Sequence, residues 1–262
     1  MIGQAELSRL ALKGGVTDRA QEKDYVLTWL LAARAACGPE TLVFKGGTAL
    51  RLCYFRDYRY SEDLDFTSDV AMDRGAIVAT LERWFGWIGD HAGLTARLAA
   101  RSGGDHSLYA EYVGPLRAED GRAVKIDISS DERERTASRS LPLLSAYSDL
   151  NGDEYTVSVY SLIEIWAEKT RSLIQRSQPR DIYDLDHLLA EDGDLPAAVR
   201  ELFLRKARSK GIDPSTLLAK LTQREKKFEA LWQTSLSSHV SELEPFGGAW
   251  RRVMRGLREG GY

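Results

Sequence analysis

Two aspartates one residue apart, Asp63 and Asp65, follow a glycine-rich turn, Lys45-Gly46-Gly47-Thr48, and carry the clearest chemical pattern in the chain. They alternate with Leu64 and Phe66. Side chains on a strand alternate between faces, so both carboxylates leave one face and both apolar residues the other. Two carboxylates held side by side repel each other unless positive charge sits between them. An all-oxygen donor set suits a hard cation, Mg2+ or Mn2+, which keeps waters and shares phosphate oxygens with a substrate. Upstream, Gly46 and Gly47 permit close backbone approach to a phosphate, and Thr48 brings a hydroxyl.

A third acid, Asp127, lies between Ile126 and Ile128 in another strand-like run. A carboxylate there is costly to bury unless it is paired or metal-bound. Three carboxylates and a phosphate turn fit nucleotidyl transfer. One pair holds the metal that carries the triphosphate, and the third acid holds a second metal or activates the attacking hydroxyl. Taken alone, an Asp-x-Asp pair is commonly two solvated acids at a strand end, and a Gly-Gly-Thr turn is commonly just a turn; their combination with Asp127 carries the reading. No G-x-x-x-x-G-K-[ST] motif is present, which excludes a Walker-type P-loop.

Lys169 is the other unusual residue, a cation on the apolar stripe of Leu162, Ile165, Trp166 and Leu173. It reads either as a lysine snorkelling from the stripe's edge or as positive charge for a triphosphate. Arg176, Arg180, Asp181 and Asp184 follow at helix ends, where Arg–Asp pairs often lock one helix to the next.

The elements that must position these groups are legible in outline. Thr17-Asp18 caps a helix running to about Ala36, and Gly38-Pro39 stops it. A strand at 42–44 enters the glycine turn, and a short helical segment, 49–55, leaves it. Asp73 caps a helix with Ile77, Leu81, Trp84, Phe85 and Ile88 on its core face. Strand-like runs at 94–101, 107–113 and 124–129 form a hairpin series with turns at Gly103-Gly104 and Gly121, and 155–159 is a further strand. Residues 131–140 read as a charged loop. From Pro196 onward the pattern is helical.

The 262 residues suffice for one large domain or two small ones, and 43% hydrophobic with 29% charged residues describes an ordinary globular chain. No apolar run approaches the roughly 20 residues needed to span a bilayer. The N-terminal MIGQAELSRLALKGG lacks a signal-peptide layout, so a cytoplasmic protein with no membrane partner is expected. Cys37 and Cys53 lack metal spacing, and the four histidines are scattered, which argues against zinc. Net charge is −3, yet residues 196–262 hold 13 Lys/Arg against 7 Asp/Glu, a local excess of +6. A basic region beside an acidic body suits a polyanionic substrate; solvated helix faces would give the same count.

The run Lys45-Gly46-Gly47-Thr48-Ala49-Leu50, followed by Arg59-x-Ser61-x-Asp63-x-Asp65-Phe66, resembles the AbiEii/MenT nucleotidyltransferase toxins of type IV toxin–antitoxin and abortive-infection systems. The likeness continues through Lys125-Ile126-Asp127-Ile128, Glu168-Lys169, Arg176 and Arg180-Asp181-x-Tyr183-Asp184-Leu185, covering about 20–190 in family order. It implies an α+β fold: a DNA-polymerase-β-like core, a mixed sheet flanked by helices, with a helical C-terminal region. The expected division is a core at 1–195 and a basic helical region at 196–262. It implies Asp63, Asp65 and Asp127 as metal-binding catalytic acids and Gly46, Gly47, Thr48 and Ser61 at the nucleotide. Lys169 and Arg180 stand against the triphosphate, with Asp184 beside Lys169. The expected reaction transfers NMP from an NTP to an acceptor, the tRNA 3′ end, and so blocks translation and growth. The expected partner is a separately encoded antitoxin. The basic side chains Arg205, Lys206, Arg208, Lys210, Arg224, Lys226 and Lys227 are expected to receive the RNA backbone. Two other readings stay open: transfer to a protein or small-molecule hydroxyl, and a non-catalytic NTP-binding module.

Overall fold

The computed structural model describes residues 1–102, 106–118, 121–130, 132, 134–192 and 196–262. The Gly103-Gly104 turn lies outside them. The chain forms two compact units, Met1–Glu132 with Ser138–Tyr160, and Arg133–Ala137 with Ser161–Tyr262. Compactness therefore divides the chain earlier than the 195/196 boundary expected from sequence, and the two helices that follow Tyr160 join the second unit.

The first unit is built on a mixed sheet of seven strands among the described residues: β1 Leu42–Lys45, β2 Asp63–Ser68, β3 Thr95–Ser102, β4 Ser107–Val113, β5 Ala123–Ser129, β6 Arg139–Pro142 and β7 Thr156–Val159. Their order is β3-β4-β5-β2-β1-β7-β6. β2 runs antiparallel to β1 and parallel to β5, so the two central strands that carry the acids are direct neighbours. Strict alternation on β5 and β4 and at the start of β2 leaves one face apolar. Phe44, Leu64, Phe66, Leu108, Val124, Ile126 and Ile128 are buried there. After a first helix, α1 (Gln4–Gly14), helix α2 (Asp18–Cys37) packs on α4 (Arg74–Ala92), and α4 covers this face: Trp84 meets Phe66 edge-on with ring centroids 5.6 Å apart. The predicted caps are present. The Thr17 hydroxyl accepts from the Ala20 amide at 3.2 Å, and Asp73 accepts from the Ala76 amide at 2.8 Å.

β6 takes in Arg139 and Ser140, the last two residues of the stretch 131–140 that the sequence reading left as a charged loop. It is a four-residue strand ending in Pro142, at the sheet's edge among the described residues and paired with β7. A short, exposed edge with a terminal proline has no alternation to betray it.

The second unit is helical: α5 Leu162–Gln175, α6 Pro179–Asp192, α7 Ala197–Ser209, α8 Leu217–Leu236 and α9 Phe246–Glu259. Ser161 caps its first helix, its hydroxyl accepting from the Glu164 amide at 3.2 Å. Phe228, Trp232, Phe246 and Trp250 form its aromatic centre, with the Phe246 and Trp250 rings 5.3 Å apart. No helix among the described residues is long and apolar enough to cross a membrane.

Candidate active site

In the parallel β2–β5 ladder Asp65 lies opposite Asp127 and Asp63 opposite Lys125. β1 places Lys45 opposite Asp65. All five side chains leave the half-exposed face, because their neighbours Leu64, Ile126 and Phe44 fill the core. Adjacent strands lie about 4.8 Å apart, so the three carboxylates crowd one small area.

Asp127 is held from two sides. It accepts from the Ser107 hydroxyl on β4 and from the Lys125 ammonium. Burial works against the charge on Lys125, but the hydrogen bond and charge of Asp127, with the charges of Asp63 and Asp65, hold its ammonium above the ordinary lysine value. On the β1 side, the Lys45 ammonium reaches the Ser129 hydroxyl at 3.3 Å and stands 5.6 Å from the Tyr160 ring centroid. Among the described residues no group of three or more His, Cys, Asp or Glu converges as a metal cage. The acids are in register on one face, with an ammonium drawn in among them.

The glycine turn is shaped by these neighbours. Gly46 has φ +82°, and a Cβ there would lie 2.5 Å from an Asp65 carboxylate oxygen. A Cβ on Gly47 would lie 2.5 Å from the Arg59 guanidinium. A side chain at either position would have to displace that group. From this turn runs a short helix, α3 (Gly46–Ala49), continued with π-type bonding through Leu50–Tyr54. Thr48, expected at the phosphates, is buried and gives its hydroxyl to the Asp63 carbonyl at 2.5 Å. In this structure it positions the start of β2. Ser61 is half-buried in the segment leading into β2.

Of the aromatic and basic interval 54–60 before Ser61, Arg56 and Asp57 are exposed and the last three residues turn inward. Tyr58, Arg59 and Tyr60 are buried. The Tyr60 hydroxyl donates to Gln21 at 2.6 Å, and the Arg51 guanidinium stacks 3.5 Å from the Tyr60 ring centroid. Arg51 also pairs with Asp24 and donates to the Tyr58 carbonyl at 2.5 Å. Tyr147 completes the network, donating to Asp24 at 2.7 Å. The interval thus clamps the turn and β2 onto α2. Arg51 is a positioning residue that sequence reasoning did not single out; Arg59, read there only as part of the motif, stands against Gly47.

Lys169, Arg180 and Asp184 belong to the second unit. The Lys169 ammonium lies 2.7 Å from Asp184 and 3.1 Å from Asp181. Arg176 makes a two-pronged contact with Asp181 at 2.8 and 3.0 Å. Burial pushes Asp181 up, but Lys169 and Arg176 outweigh it and hold the carboxyl below its ordinary value. Arg180 sits half-buried in the first turn of α6.

Three of the basic residues expected to receive RNA have partners here; Arg205 lies 2.9 Å from Glu201 and 3.3 Å from Glu134. Lys206 is fully buried, 2.9 Å from Glu164 and 3.3 Å from Glu168. Arg224 donates to the Ile174 carbonyl at 3.1 Å at the end of α5. Arg208, Lys226 and Lys227 are exposed, as is a stripe of Arg251, Arg255 and Arg258 on α9 that the sequence reading passed over. Their spacing of four and three residues puts the three arginines on one helix face.

An α+β chain with paired strand aspartates behind a glycine turn is the architecture of a nucleotidyltransferase. Residues 29–255 match the family profile described as "Nucleotidyl transferase AbiEii toxin, Type IV TA system". The chain belongs to this family of nucleotidyltransferase toxins, which implies an antitoxin partner. Its fold is similar to that of MenT4, a nucleotidyltransferase toxin from Mycobacterium tuberculosis H37Rv, with TM-score 0.72 and 19% identity over 98% of this chain and 89% of that one. An antigenic nucleotidyltransferase-like protein from Paracoccidioides brasiliensis aligns with TM-score 0.49 and 14% identity over 82% of this chain and 94% of that one. No curated protein matches by sequence.

Proposed function

We propose that this toxin uses Mg2+ to transfer NMP from an NTP to the 3′ end of tRNA, and so arrests translation in the cytoplasm. The observation that carries the reaction is the register of Asp63, Asp65 and Asp127 on one sheet face, with Gly46 closed against Asp65. Their hard-oxygen chemistry fits Mg2+ or Mn2+, and the pull they exert together on the Lys125 ammonium marks a place where positive charge is stabilised. Asp63 and Asp65 would hold the cation. Bound there, it would supply charge neutralisation for the triphosphate. Asp127 takes the proton of the attacking hydroxyl, the hydroxyl oxygen bonds to the α-phosphorus, and pyrophosphate leaves. Roles for Thr48 and Ser61 at the nucleotide, and for Lys169 and Arg180 as charge partners of the phosphates, rest on the family resemblance. The fixing of Lys169 by Asp181 and Asp184 supports a placed cation over a snorkelling one.

The tRNA 3′ end as acceptor rests on the family resemblance; the exposed positive charge of Arg208, Lys226, Lys227, Arg251, Arg255 and Arg258 supports a polyanionic acceptor. The test is to incubate the protein with each α-32P-labelled NTP, Mg2+ and cell extract. Label should enter tRNA and disappear when the tRNA 3′ end is oxidised beforehand. Label in protein alone would replace tRNA with a protein acceptor. Label in neither fraction would leave an NTP-binding module.

A further inference from the structure

Lys125 is a cation inside the carboxylate face, on the same strand as Asp127 and opposite Asp63. It is not at the rim: its side chain is about one-third exposed, matching the Asp127 side chain it pairs with (32% and 31%). Two residues apart on a strand, Lys125 and Asp127 share a face, and the ammonium lies against Asp127. Lys45 approaches the same face from β1, opposite Asp65, and reaches the Ser129 hydroxyl two residues beyond Asp127. Three carboxylates on neighbouring strands carry a repulsion that must be met in the absence of a metal ion, and Lys125 meets it.

We propose that Lys125 is a built-in counter-cation that holds the three carboxylates together before a metal ion binds and is displaced from Asp127 when it does. The inference rests on the metal-carboxylate reading above. A lysine in this place makes cation binding an exchange: one +1 charge leaves the carboxylates as a +2 charge arrives. The wild-type protein then binds the metal more weakly than the bare carboxylates would, and its folded state tolerates the metal-free condition. The displaced ammonium remains on the same face, where the incoming nucleotide brings phosphate charge for it to meet.

The experiment is a Mn2+ titration followed by electron paramagnetic resonance on full-length wild type, Lys125→Gln and Lys125→Arg, each checked for fold by circular dichroism. Wild type should bind Mn2+. Lys125→Gln should bind it at least tenfold more tightly and, in EDTA, melt at a lower temperature than wild type. Lys125→Arg, which keeps the charge, should stay within about threefold of wild type. Equal or weaker binding by Lys125→Gln, with wild-type binding intact, overturns the counter-cation and leaves the metal reading standing. Absence of Mn2+ binding by wild type overturns the metal reading and the inference with it. If Lys125→Gln does not fold, reductive methylation of wild-type Lys125 decides. Mn2+ should speed it relative to EDTA, and an unchanged rate overturns the inference.

Discussion

Asp65 and Asp127 stand directly opposite each other across the parallel β2–β5 ladder, and the φ +82° turn at Gly46 closes against the Asp65 carboxylate. One acid thus packs against the preceding turn at a position only glycine leaves open. The other is fixed by Ser107 and Lys125 on and beside its own strand. The face is pre-built by strand register, which holds side chains more precisely than loops do.

Gly46→Ala should injure both fold and chemistry. A Cβ forced into positive φ costs about 1–3 kcal/mol, and this one also collides with Asp65. Urea unfolding should show the loss, and transfer should fall at least tenfold because Asp65 is displaced. Gly47→Ala should act through Arg59 in the same assays.

Lys206→Ala should destabilise strongly, by about 3–5 kcal/mol, since it leaves buried Glu164 without its counter-charge. The exposed Lys226→Ala/Lys227→Ala double variant should change stability by about 0.5 kcal/mol or less. The double variant should instead weaken RNA labelling, with a shallower salt dependence. Thermal melts and labelling at two salt concentrations separate the two effects.

Asp181→Asn should flatten the acid limb of the stability profile. The native carboxyl titrates below its ordinary value of 3.8, so its stabilisation is full above that value and is lost as pH falls through the lower folded one. In wild type, stability should drop as pH falls below about 4. The asparagine variant should be less stable at pH 7, with Lys169 and Arg176 deprived of a shared charge, and should lose less on acidification. Denaturant midpoints from pH 7 to pH 3 measure this directly.

Much of this was legible in the residues. Asp63-Leu64-Asp65-Phe66 reads as a strand with a polar face, and Thr17 and Asp73 read as caps, because alternation and capping are local. The Lys206 burial was also legible, though a charge count hides it. Val199, Leu202, Phe203, Lys206 and Ala207 recur at helical spacing, which puts the lysine on the core stripe. Lys125 was not legible as a partner of the acids. On its own strand it is an ordinary outward lysine, and only the β2–β5 pairing brings Asp63 opposite it. The inward turn of Tyr58, Arg59 and Tyr60 likewise depends on Gln21, Asp24 and Tyr147, which are distant in sequence.

Asp63→Asn, Asp65→Asn and Asp127→Asn should each leave the protein folded, with stability changes of about 1 kcal/mol or less for these half-exposed side chains. They provide the most direct test of the central claim, that the carboxylate face performs nucleotidyl transfer. The measurement is transfer of α-32P label with matching pyrophosphate release, in Mg2+ and in EDTA, for wild type and the three variants. The account predicts activity in wild type with Mg2+, none in EDTA, and a fall of about 10²–10³-fold or more in each variant. Undiminished transfer by a folded Asp63→Asn or Asp65→Asn protein would contradict it.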